Sequence, residues 1–169
     1  MTAMFKKWFK KENKKQLDIY APLSGKVFPL EEVPDPVFGQ KMMGEGLAIL
    51  PYDGQVFSPV DGEIVQVIKS KHAIGIRAHD GTEILIHVGL ETVELKGEGF
   101  NVHVENGDTV KTGELIMTFD LEFIKQHAKD IITPIVITSS LNDTNKEYVV
   151  TDATEVKAAD SILLTVKGQ

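Results

Sequence analysis

His72-Ala73-Ile74-Gly75-Ile76-Arg77-Ala78-His79-Asp80-Gly81-Thr82-Glu83-Ile84-Leu85-Ile86-His87 reads as two β-strands joined at Asp80-Gly81, among the strongest two-residue signals for a type I′ hairpin turn. With those two residues as the loop, His79 pairs with Thr82, Ile74 with His87 and His72 with Gly89. Strand side chains alternate, so His72 and His87 are expected on one face as diagonal neighbours, their Cα atoms roughly 7–8 Å apart. Ile84, Ile86 and Val88 share the other face and read as core. In this register the histidine face also carries Leu85, Ile74 and Ile76. It is therefore either a second buried face or an apolar patch around two imidazoles, the kind of surface that marks an interaction site.

Outward from this hairpin, residues 17–169 continue as short β-type segments separated by turn signals, with 14 glycines and 7 prolines in the chain. The expected class is all-β, an antiparallel β-sandwich or barrel-sandwich. Two related halves are indicated by recurrence: Ala21-Pro22-Leu23-Ser24-Gly25-Lys26-Val27 returns as Ser58-Pro59-Val60-Asp61-Gly62-Glu63-Ile64, and Gly44-Glu45-Gly46-Leu47-Ala48-Ile49 as Gly97-Glu98-Gly99-Phe100-Asn101-Val102. Residues 104–115 place paired turns around a two-residue strand core and resemble the hammerhead turns of lipoyl and biotinyl carriers. One or two short helices complete the expectation. Asp120 can cap a helix over 121–129 with Leu121, Ile124 and Ala128 inward. Pro34 and Pro36 exclude a central strand from residues 30–39, a surface loop or single helical turn that leaves Val37 and Phe38 for exposed apolar contacts.

The chain has 169 residues, 42% of them hydrophobic and 25% charged, which suits one soluble domain with a substantial core. The absence of cysteine excludes a disulfide framework, a thiol nucleophile and a Cys-based zinc site. No apolar run approaches the roughly 20 residues that span a bilayer, and no signal-peptide stretch opens the chain, so a cytoplasmic protein is expected. The net charge of −7 divides unevenly: residues 1–16 hold six lysines and one glutamate, a net +5, which leaves −12 on the rest. An acidic body argues against nucleic acid as a ligand and for partners with basic docking surfaces. In the arm, residues 1–16, Met4, Phe5, Trp8 and Phe9 fall at helical spacing among the lysines. That is either a short amphipathic helix at the anionic inner face of the cell membrane or a solvated tail.

Five histidines occur. His79 in the turn, His103 on a wet strand face and His127 on the helix are expected to be incidental. Two facing imidazoles without cysteine leave two chemistries. Zinc would need further His, Asp or Glu ligands. Alternatively, a neutral imidazole can take a phosphoryl group on one nitrogen while the other is held by a hydrogen bond, with the second histidine stabilising the phosphate. No Walker-type loop is present, so the phosphate would come from another protein.

The motifs Ala21-Pro22-Leu23-Ser24-Gly25, Val33-Pro34-Asp35-Pro36-Val37-Phe38, Lys71-His72-Ala73 and, above all, the run from Ile86 to Phe100 resemble the glucose-class IIA component of the bacterial phosphoenolpyruvate:sugar phosphotransferase system. The resemblance implies that His87 accepts a phosphoryl group on Nε2 from the phosphocarrier HPr and passes it to a cysteine of a sugar-specific IIB domain. It implies that His72 supports onward donation and that the Gly89 backbone orients the His87 ring. Val37, Phe38, Ile68 and Leu85 correspond to an apolar docking ring, and Asp35 and Glu91 to acids that meet basic residues of HPr. No cofactor is required on this reading, although His72 and His87 can share a zinc ion with a carboxylate from a bound partner. Two rivals fit less well. A lysostaphin-type zinc peptidase needs an H-x-H pair with an H-x-x-x-D, which is incomplete here, and a lipoyl or biotinyl carrier needs a lysine at a hairpin tip flanked by Met or by Asp and Ala.

Overall fold

In the computed structural model, which describes residues 16–168, one eight-stranded antiparallel sheet dominates. Its order is β13 (Glu155–Val156), β2 (Gly25–Pro29), β3 (Glu45–Pro51), β11 (Thr133–Ile137), β7 (Glu83–His87), β6 (Ala73–Ala78), β5 (Gly62–Val67) and β9 (Thr109–Val110). Two three-stranded sheets complete the sandwich: β1 (Gln16–Tyr20), β14 (Ile162–Gly168) and β12 (Lys146–Val150), and β4 (Gln55–Phe57), β10 (Leu115–Phe119) and β8 (Phe100–Val102). Ile19, Leu164, Val56, Ile116, Ile49, Ile64, Ile76 and Ile86, drawn from all three sheets, lie in one apolar core. The two-residue strand β9 between its turns is the hammerhead-like unit expected over residues 104–115.

The related halves are intertwined. Read from either end, the large sheet begins with a two-residue edge strand paired to the strand that the repeated motif opens: Gly25 opposite Val156, and Gly62 opposite Val110. The motif's polar residue performs one task twice, since Ser24 Oγ accepts from Ala158 N at 2.9 Å and Asp61 Oδ1 from Thr112 N at 2.8 Å. Across the junction the bonds are reciprocal, with Tyr20 N donating to Pro59 O and Phe57 N to Pro22 O. The second sequence recurrence has no such counterpart, because β3 lies in the large sheet and β8 in a small one.

The hairpin departs from expectation by one residue. Its loop is His79-Asp80-Gly81: Ala78 N donates to Thr82 O at 2.8 Å, Gly81 N to Ala78 O at 3.0 Å, and Gly81 takes φ 91°. This is the three-residue loop with a left-handed glycine, not the two-residue type I′ turn. His87 therefore pairs with Ala73, Ile74 with Ile86 and Ile76 with Ile84, so Ile74 and Ile76 join Ile84 and Ile86 on the core face. The histidine face receives Ala73 and Gly75 instead, and the predicted Ile74–His87 and His72–Gly89 pairs do not form.

That second face is covered in part by residues 30–39. A 3₁₀ turn (Leu30–Glu32) and helix α1 (Pro36–Gly39) bury Leu30, Val33 and Phe38 with Ala48, Leu90, Ile132 and Val136 in a smaller core. Asp35 caps α1, its Oδ1 accepting from Val37 N at 2.9 Å. The segment forms the expected single helical turn at the surface with Val37 exposed, but Phe38 is buried, because the apolar residues at 30, 33 and 38 seal the sheet's outer face. Helix α2 (Leu121–His127) is capped by Asp120 Oδ1, which accepts from Phe123 N, and ends two residues earlier than expected. Gln16, assigned to the arm by composition, is the first residue of β1 and pairs with Lys167. The amphipathic stretch through residue 15 lies outside the described residues. Among the described residues no helix is long and apolar enough to cross a membrane.

Candidate functional site

His87 is the last residue of β7, and His72 precedes β6 by one. Strict alternation would send their side chains to opposite faces, because His72 lies opposite Val88, whose N–H donates to His72 O at 2.8 Å. The rings nevertheless meet, with centroids 4.7 Å apart and planes at 78°. The reason lies in the loop before β6: Lys71 adopts φ 65°, its N–H closing a turn on Ile68 O, so His72 sits at a bend where pleated alternation has not begun. The adjacency expected from the hairpin is present, but a loop produces it.

Each imidazole is held by its Nδ1. A carbonyl can only accept, so the 2.8 Å contact with Gly89 O means that His87 Nδ1–H donates and the Nε2 lone pair is free. Gly89, buried at φ 73°, turns its carbonyl back toward the ring. His72 Nδ1 lies 3.0 Å from Ser70 Oγ. Phe38 tilts over His87 at 4.9 Å between centroids, and Phe100 approaches His72 at 6.4 Å. Burial pushes the His72 pKa down to about 4, helped by repulsion from a charged His87 and opposed by Ser70. His87 is also pushed down by burial, against the raising influence of its Gly89 bond and the Asp35 charge. At neutral pH both rings are uncharged, and one presents a nucleophilic nitrogen.

A buried neutral His72 has a consequence for stability. Between pH 6.5 and about 4 the unfolded chain binds a proton at this position that the folded chain refuses. Its contribution is therefore full above pH 6.5 and declines as pH falls toward 4, by up to about 3 kcal/mol. We expect the urea midpoint of the wild type to fall more steeply over this window than that of His72→Gln. Parallel curves would mean that His72 is not held neutral.

The other expected site residues are distributed around this pair. Val37 is 40% exposed, Ile68 is half-buried at the start of the β5–β6 loop, and Glu91 is exposed in the loop that follows His87. Phe38 and Leu85 are only 6% and 8% exposed, which corrects their assignment as contact surface. Phe38 is consumed by the smaller core, and Leu85 lies opposite Val136 of that core, so neither is free surface. Beside Ser70 a groove of about 440 Å³ is lined by Lys69, Val93 and Lys96. His79, His103 and His127 are exposed, as expected of incidental residues; His103 meets Thr118, and His127 stacks on Phe123.

Ser70 and Phe100 were not singled out from sequence as neighbours of the pair. Ser70 had a legible signal, a hydroxyl two residues before a histidine in a turn; Phe100 reaches His72 only through the tertiary fold. Two neighbouring imidazoles could supply half of a tetrahedral zinc shell, but no group of three His, Asp or Glu side chains gathers among the described residues. Zinc held across the pair would need its remaining ligands from outside the described residues.

Known proteins are similar to this chain along most of its length. The family described as phosphoenolpyruvate-dependent sugar phosphotransferase system, EIIA 1, matches residues 17–143. Glucose-specific EIIA components of this system from Halalkalibacterium halodurans and Oceanobacillus iheyensis are 48% and 50% identical, over 98% and 96% of this chain and 99% of each relative. The corresponding Bacillus cereus protein is 59% identical over 81% of this chain and 84% of its own length. Among solved structures, glucose permease IIA from Mycoplasma capricolum superposes with a TM-score of 0.83 at 36% identity, covering 89% of this chain and 96% of that one.

Proposed function

Because the chain belongs to the phosphoenolpyruvate-dependent sugar phosphotransferase system EIIA 1 family, a phosphotransferase component of sugar uptake, we propose that His87 is its phosphoryl acceptor, loaded by phospho-HPr and unloaded onto a IIB cysteine. The observation that carries this reading is the His87 Nδ1–H bond to Gly89 O, which leaves Nε2 as the only free ring lone pair. In the first transfer an N–P bond forms at His87 Nε2 while the N–P bond of the donor histidine breaks and the donor ring regains its electron pair. No proton need move. Nδ1 keeps its hydrogen, and the positive charge that develops on the ring strengthens the bond to Gly89. In the second transfer an S–P bond forms on the cysteine thiolate as the His87 N–P bond breaks.

His72 is uncharged before loading and lies within reach of a phosphoryl group on its neighbour. The arriving negative charge favours a protonated or donating His72, which steadies the group as it leaves. Exposed Val37 and half-buried Ile68, over the floor made by Phe38 and Leu85, form the apolar part of the docking face, while Asp35 and Glu91 supply acids for a basic partner. The names of the relatives point to glucose as the sugar served.

Incubation with phosphoenolpyruvate, enzyme I and HPr should add one phosphoryl group, acid-labile and located on His87 by peptide analysis. An unchanged intact mass, or a His87→Ala protein that labels equally, would refute the assignment.

A further inference from the structure

The Gly89 carbonyl can fix the His87 tautomer only if its own peptide is fixed, and that peptide lies in a loop with two left-handed residues, Gly89 at φ 73° and Glu91 at φ 58°. Thr92, with no exposed surface, grips this loop in two ways. Its Oγ1 donates to Val88 O at 2.7 Å, and its Cγ2 occupies the place beside Gly89 where a β-carbon would come within 2.7 Å. On the far side Leu90 N donates to Asp130 O at 2.9 Å. The peptide that carries the Gly89 carbonyl is therefore held from both flanks.

We propose that Thr92 is a positioning residue for His87, its hydroxyl bond to Val88 holding the Gly89 carbonyl where it keeps the His87 proton on Nδ1. The proposal rests on His87 being the phosphoryl acceptor. A free neutral imidazole prefers its proton on the other nitrogen, Nε2, where it would block attack. The tautomer in the protein is thus imposed by the acceptor on Nδ1, and anything that lets that acceptor swing returns part of the population to the unreactive form.

Thr92→Val keeps the methyl group and the volume while removing the hydroxyl; Thr92→Ser keeps the hydroxyl. Imidazole ¹⁵N spectra read the tautomer directly. Wild type and Thr92→Ser are expected to show His87 protonated on Nδ1, whereas Thr92→Val should show mixed tautomers. Its phosphorylation at saturating phospho-HPr should slow about tenfold with little change in KM. A folded Thr92→Val protein with wild-type tautomer and rate overturns the proposal. Should that variant fail to fold, Thr92→Ser decides in the reverse sense, since mixed tautomers there would show that packing and not the bond sets the ring. A wild type that takes no phosphate on His87 would instead remove the acceptor assignment, an outcome separate from the tautomer comparison.

Discussion

His72→Gln is expected to accept phosphate from HPr at close to the normal rate and to pass it to a IIB cysteine about 10²–10³-fold more slowly. Acceptance depends on the His87 lone pair, which the Gly89 carbonyl secures without help from His72. On the proposed reading, donation differs because the leaving His87 nitrogen must give up a dianionic group against the buried His72 ring. There a second imidazole that can carry charge is worth more than a neutral amide. Burial and the neighbouring ring hold His72 at a pKa of about 4 in the unloaded protein, so its protonation becomes favourable only when phosphate arrives. Rapid-quench transfer from pre-phosphorylated protein to a IIB domain separates the two steps. Equal donation by variant and wild type would leave His72 without this role.

Gly89→Ala is expected to damage stability and chemistry together. The residue sits at φ 73°, where an L-residue costs roughly 1–2 kcal/mol. An added β-carbon would lie 2.7 Å from Thr92 Cγ2 and 3.0 Å from Asp130 O. Relieving those contacts adds about 1–3 kcal/mol, for a total loss of about 2–5 kcal/mol in urea unfolding. Because the carbonyl that orients His87 belongs to the same residue, a shift of its peptide should lower the phosphorylation rate about 10²-fold or more, even in the fraction that remains folded. Normal rates in a merely destabilised protein would show that His87 does not depend on that carbonyl for its orientation.

Both histidines, the all-β class and the duplicated motif were legible in the sequence, and the error in the hairpin is instructive. Asp80-Gly81 is compatible with a two-residue I′ loop and with a three-residue loop ending in a left-handed glycine, so the dipeptide alone does not fix register. The aliphatic pattern does. Only the longer loop places Ile74 and Ile76 beside Ile86 and Ile84, and the apparent apolar face around the histidines was the warning that the shorter register wasted two isoleucines. Residues 30–39 misled for another reason. The prolines correctly excluded a strand, but turn composition does not reveal that Leu30, Val33 and Phe38 converge on Ala48 and Val136 from distant strands. The meeting of His72 and His87 depends on Lys71 at φ 65°, a conformation uncommon for lysine that no propensity would assign.

The interlocked halves also bear on how the chain comes into being. β14 is the middle strand of its sheet and is bonded on one side to β1 and on the other to β12. During synthesis β1 emerges early yet has no partner in that sheet until residues 162–168 follow it, and Ile19 waits uncovered for Leu164. A nascent chain of this protein therefore cannot close its sandwich domain-half by domain-half. It carries an unpaired edge strand from the synthesis of residues 16–20 until that of residues 162–168, an interval in which chaperones have something to hold.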